Sequence, residues 1–81
     1  MAQRPVTMLE AGERAKIVAI KGQDARSLRK LTVFGLLPGM EIEVMQTFPV
    51  YVLRIDNTQL ALDREAASGI MVIKVLKSKG K

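Results

Sequence analysis

The chain contains no cysteine and no histidine, and its only aromatic side chains are Phe34, Phe48 and Tyr51. Without cysteine there is no disulfide framework and no zinc or iron–sulfur site built on thiolates. Without histidine the commonest general acid–base group is gone, and no carboxylate pair sits in an obvious cleft. An enzyme is therefore not expected. No segment approaches the roughly 20 apolar residues that a membrane-spanning helix needs. The opening Met-Ala-Gln-Arg-Pro leads into no apolar signal segment, so the expected compartment is the cytoplasm.

What is present is aliphatic. Of the 81 residues, 48% are hydrophobic and 26% charged, which reads as one globular domain resting on Leu, Ile, Val and Met. A chain of this size buries about 60–65% of the surface its unfolded form exposes, so each large apolar residue matters. The net charge is +5. Its placement is uneven: residues 1–73 carry nine Lys or Arg against eight Asp or Glu, and Lys74, Lys77, Lys79 and Lys81 follow the last acid, Glu65. Residues 1–76 are expected to form the domain and 77–81 a disordered basic tail.

Local signals divide the domain. Residues 1–8 read as a lead-in, with a turn at Gly12. Arg14 to Ile20 is rich in β-branched residues and reads as a strand. Asp24 suits the N-cap of a helix from Ala25 to about Phe34, whose apolar face would hold Ala25, Leu28 and Leu31. Gly35 fits the left-handed residue that ends a helix, and Leu36 would then clasp Leu31. Leu37-Pro38-Gly39-Met40 fits a type II turn. Strands are expected at about 41–48, 50–55, 59–63 and 70–76, with one helical turn ending at Gly69. Tyr51, Leu53, Ile55, Leu60 and Leu62 should face inward. About five strands with one short helix between the first two make a mainly-β fold, a small bent sheet closing into a barrel.

These residues, in this order, resemble the FeoA family. The match runs over about residues 8–76. Leu9 and Gly12 come first, then Ala15 and Ile17 to Ile20. Its centre is Arg29-Lys30-Leu31 followed by Phe34-Gly35-Leu36-Leu37-Pro38-Gly39. Ile42, Val44, Leu60-Ala61-Leu62, Glu65-Ala66, Ile70 and Val72 complete it. The segment Thr47-Phe48-Pro49-Val50 is shorter than the loop the family often has there, so that loop's contacts are not carried over. The resemblance implies an SH3-like barrel. It also implies a cytosolic accessory of bacterial ferrous-iron uptake that works by binding the membrane transporter FeoB, peripheral to the membrane through that partner. The family fold recurs as the C-terminal domain of iron-dependent repressors; this chain resembles the stand-alone form.

The partner-binding candidates are Arg26, Arg29, Lys30, Phe34 and Leu37. Leu31, Gly35, Leu36, Pro38 and Gly39 would hold their geometry. The glycines are not a phosphate cradle, because they follow the helix rather than precede it. No cofactor is expected. For ferrous iron or another divalent metal the first candidates are Glu10 and Glu13, three residues apart, and Glu41 with Glu43 or Asp63 with Glu65 are further pairs. Oxygen-only pairs of this kind read as solvated surface. Two alternatives use the same features: a small nucleic-acid-binding barrel working through the lysine tail, and a metal-responsive module that self-associates into a homo-oligomer. Stacking aromatics interleaved with basic residues are missing, so no nucleic-acid partner is expected.

Overall fold

The computed structural model describes residues 3–75. The expected tail at 77–81 lies outside the described residues. The elements run in the order β1 (Arg4–Pro5), a single 3-10 turn (Val6–Met8), β2 (Arg14–Ile20), α1 (Ala25–Val33), β3 (Glu41–Gln46), β4 (Tyr51–Ile55), β5 (Thr58–Leu62), α2 (Arg64–Ser68) and β6 (Ile70–Lys74). All strands join one antiparallel sheet in the order β1-β6-β2-β3-β4-β5. The mainly-β, SH3-like expectation stands, with six strands among the described residues where about five were expected.

The extra strand corrects the reading of residues 1–8 as a lead-in. Arg4 and Pro5 pair with Val72 and Met71 of β6, and Val6 is completely buried. Pro5 is compatible with a ladder here because β1 is an edge strand, where a missing N–H costs nothing. Nothing in the local sequence marks this segment, since its partner lies almost 70 residues away.

One core fills the bent sheet. Ile17, Leu36, Ile42, Leu53, Ile70, Val6, Val44 and Val72 are its largest fully buried side chains. Alternation holds through β4, where Tyr51, Leu53 and Ile55 are buried while Arg54 is exposed. Leu62 is buried and Leu60 packs against the core from its edge. Register shifts at Ile17/Ala19 against β6 and at Val44/Gln46 against β4 each insert a residue, which bends the strand and increases its twist. These two bends let five main strands wrap around so few side chains.

The short second helix is closed at both ends. Asp63 accepts from Ala66 N at 2.8 Å, and Gly69 ends the turn. Gly69 is needed for space rather than for conformation: a Cβ there would overlap the Lys21 carbonyl oxygen, beside which Lys21 N donates to Gly69 O at 2.7 Å.

Candidate functional site

The segment from Asp24 to Met40 builds the surface of interest, and each of its bends has a local cause. Asp24 Oδ1 accepts from Ser27 N at 2.8 Å, satisfying an amide of the first turn of α1. At the other end Leu36 N donates to Leu31 O at 3.0 Å and Gly35 N donates to Thr32 O at 2.9 Å. This is the Schellman pair, with Gly35 at φ +93° as the left-handed residue. Met40 N then donates to Leu37 O at 3.1 Å and Gly39 sits at φ +97°, which closes the type II turn. The turn is bolted to the sheet at one residue: Gly39 N donates to Ile17 O at 2.7 Å, and Ile17 N donates to Met40 O at 2.9 Å.

The burial of α1 differs from the sequence expectation. Leu31 is its one buried residue; Ala25 and Leu28 are exposed. The reason is geometric. The helix is held at its last turn by Leu31 and by the fully buried Leu36, so its first turns project past the core. Val33 is 76% exposed, Phe34 39% and Leu37 42%. Arg26, Arg29 and Lys30 are exposed as well. Within the described residues, ion pairs engage Arg14, Arg54 and Lys74, and none engages these three. On a 3.6-residue helix Arg26, Arg29 and Val33 share the outward face, whereas Lys30 and Phe34 lie toward one flank.

That flank borders a groove of about 420 Å³. Lys30, Leu31 and Phe34 form one wall, and Leu60, Leu62 and Asp63 form the other. The five partner-binding candidates are thus all on the surface, but only Lys30 and Phe34 line the groove. Arg26 and Arg29 face away from it, and Leu37 stands apart on the turn. Sequence reasoning missed Leu28 and Val33 as exposed apolar residues and missed the whole β5 wall. The β5 residues carry no motif; they meet α1 only because the sheet bends.

Of the first metal candidates, Glu10 and Glu13, the Glu13 carboxylate is engaged by other groups, while Glu10 lends its backbone amide. Glu13 Oε2 pairs with Lys74 Nζ at 2.7 Å, and Glu13 Oε1 accepts from Glu10 N at 2.8 Å. The Lys74 hydrogen bond first, and the Glu10 amide second, hold the Glu13 carboxyl below its ordinary range. Glu41 and Glu43 are likewise paired, with Arg14 at 3.6 Å and Arg54 at 2.7 Å. Asp63 caps α2. No cluster of three or more potential metal ligands occurs among the described residues.

The FeoA domain profile matches residues 4–74. The chain belongs to the FeoA domain family. Membership implies a role in ferrous-iron transport. No curated protein sequence matches the chain. Among solved structures it is similar to a FeoA iron uptake regulatory protein, with 24% identity and a TM-score of 0.80 over 93% of this chain and 100% of that one. The FeoA protein of Chlorobium tepidum is similar at 25% identity and TM-score 0.81, over 94% of this chain and 74% of that one. The T. acidophilum IdeR structure shares the fold at 24% identity and TM-score 0.86, but the match covers 35% of that longer chain against 93% of this one. Among the described residues of this FeoA-family chain, no helix is long and apolar enough to cross a membrane.

Proposed function

We propose that this FeoA-family protein is a non-catalytic, cytoplasmic accessory that binds and regulates a FeoB-type membrane ferrous-iron transporter. The observation that carries the reading is the state of α1. A helix capped at both ends keeps one residue in the core and, with the turn that follows, leaves Arg26, Arg29, Lys30, Val33, Phe34 and Leu37 to solvent. Apolar side chains beside cations that make no ion pair among the described residues form a surface suited to an acidic, partly apolar partner face. The names borne by related structures, iron uptake regulatory protein and iron(II) transport protein A, support iron transport as the setting. Regulation then needs no chemistry. Binding one conformation of the transporter more tightly than another shifts its equilibrium by that difference in affinity.

The test is binding of the purified protein to the detergent-solubilised transporter, with and without guanine nucleotide. Charge reversal at Arg29→Glu and Lys30→Glu together should weaken binding by at least about tenfold, because cations facing acids become like charges. Both residues are exposed, so the circular dichroism of the double variant should match the parent. A folded double variant with unchanged affinity would remove α1 from the interface.

A further inference from the structure

A second apolar surface lies away from α1. The β3–β4 hairpin ends in Met45-Gln46-Thr47-Phe48-Pro49-Val50, and the ten residues from Val44 to Leu53 carry no charge. Phe48 is 84% exposed, and Met45 and Val50 are also exposed. The charges at the base of the hairpin neutralise each other: Arg54 Nη2 bonds Glu43 Oε1 at 2.7 Å. The result is a protruding apolar tip with no charge of its own.

The hydrogen bonds show what lies beside this tip. Gly12 N donates to Val44 O at 2.7 Å and Val44 N donates to Glu13 O at 2.9 Å, so the tip extends past the start of β2. On the other side of β2, Val75 N donates to Arg14 O at 3.2 Å. The strands β3 and β6 flank β2, about 10 Å apart. The chain therefore leaves the barrel at the same end as the hairpin tip. The six residues that follow Val75 include Lys77, Lys79 and Lys81 and no acid. The helix α1 departs from the opposite end of β2, so a body seated on the tip leaves the α1 surface free.

We propose that this end of the barrel docks on an anionic lipid surface, with Phe48, Met45 and Val50 entering the interface and the C-terminal lysines pairing with lipid phosphates. An exposed aromatic tip or a short polybasic segment alone binds membranes weakly; together they supply the two signals that a stable peripheral contact requires. A lipid surface suits this pairing because it offers apolar depth and a diffuse negative charge at once. The inference does not rest on the transporter reading, since it concerns the opposite end of the molecule.

The experiment is co-sedimentation of the full chain with transporter-free vesicles of phosphatidylcholine, with or without phosphatidylglycerol. The protein should pellet with the anionic vesicles and stay in solution with the neutral ones. Phe48→Asp should lower the anionic binding by about tenfold or more. Replacing Lys77, Lys79 and Lys81 with Gln should produce a similar loss, and added salt should weaken the parent strongly. Phe48→Asp should keep the parent circular dichroism, because the side chain touches little of the core. In a Phe48→Trp variant the emission should shift to the blue on adding anionic vesicles. Equal binding to both vesicle types, full binding by folded Phe48→Asp, or an unshifted tryptophan would overturn the proposal. So would a parent dimer that Phe48→Asp converts to monomer, which would make a second copy the occupant of the tip.

Discussion

Leu36 N donates to the carbonyl of Leu31 at 3.0 Å, and the two side chains are both buried. This contact joins the end of α1 to the core. It decides that the last turn of the helix is anchored while Leu28, Val33 and Phe34 remain at the surface. A fully buried leucine contributes about 1.5–3 kcal/mol, enough to fix a helix that has little other packing.

Leu31→Ala should therefore cost about 2–5 kcal/mol, with the effect concentrated in α1. Hydrogen exchange is the informative measurement. Amides of residues 28–34 should lose protection in the variant while those of β2 and β6 keep most of theirs. Uniform loss across the sheet would show that α1 is not a separately anchored element.

Gly39→Val should destabilise the protein by about 1–3 kcal/mol, read from the urea midpoint. The position holds φ +97°, and a Cβ there meets no atom within 4 Å, so the expected cost is that of backbone strain. Gly35→Ala, at φ +93°, should cost about 1–2 kcal/mol for the same reason.

Gly69→Ala fails by a different mechanism. The new methyl group overlaps the Lys21 carbonyl and crowds Gln23 Nε2 at 2.9 Å. The expected loss is about 1–3 kcal/mol from overpacking. Gln23→Ala should recover part of the side-chain clash and none of the backbone one, so the double variant should remain less stable than Gln23→Ala alone.

Acid should weaken the fold through two carboxylates. The Ser27 backbone amide, then its hydroxyl, hold Asp24 below the usual carboxylate range, and Lys74 then Glu10 do so for Glu13. Each folded pKa lies below its unfolded value. The stabilisation is thus present above about pH 4 and is lost as pH falls through the folded values. The urea midpoint should decline over that window, and the decline should be smaller in Asp24→Asn and in Glu13→Gln than in the parent. Equal declines would show that neither carboxylate is linked to folding.

Phe34→Ala and Arg26→Glu separate the two flanks of α1. If the partner enters the groove, Phe34→Ala should cost at least about 1 kcal/mol of binding and Arg26→Glu much less. The reverse order would place the partner on the outward face with Arg29 and Val33.

The elements easiest to read from the chain were those with causes inside a few residues. Asp24 opens a helix because its carboxylate reaches the amide three positions on. Gly35 ends it and Pro38-Gly39 turns the chain, because the left-handed angles of the two glycines suit few other residues and proline presets the φ of its turn position. The alternation in Tyr51 to Ile55 announces which face is inward. Such signals are local, so they survive without knowledge of the rest of the molecule, and with them came the barrel and the basic helix. Other features depend on residues far apart in the chain. Val6 joins the core because β1 pairs with β6; Gly69 must lack a side chain because Lys21 passes over it. Leu28 has the spacing of a core residue yet is exposed, because Leu31 is the one residue of the helix that is buried in the core. The groove beside Lys30 and Phe34 needs β5 to curl back, and the hairpin tip meets the chain's exit because β3 and β6 flank one strand. Periodicity says which side chains share a face; only packing says which face is covered, because burial belongs to pairs of surfaces.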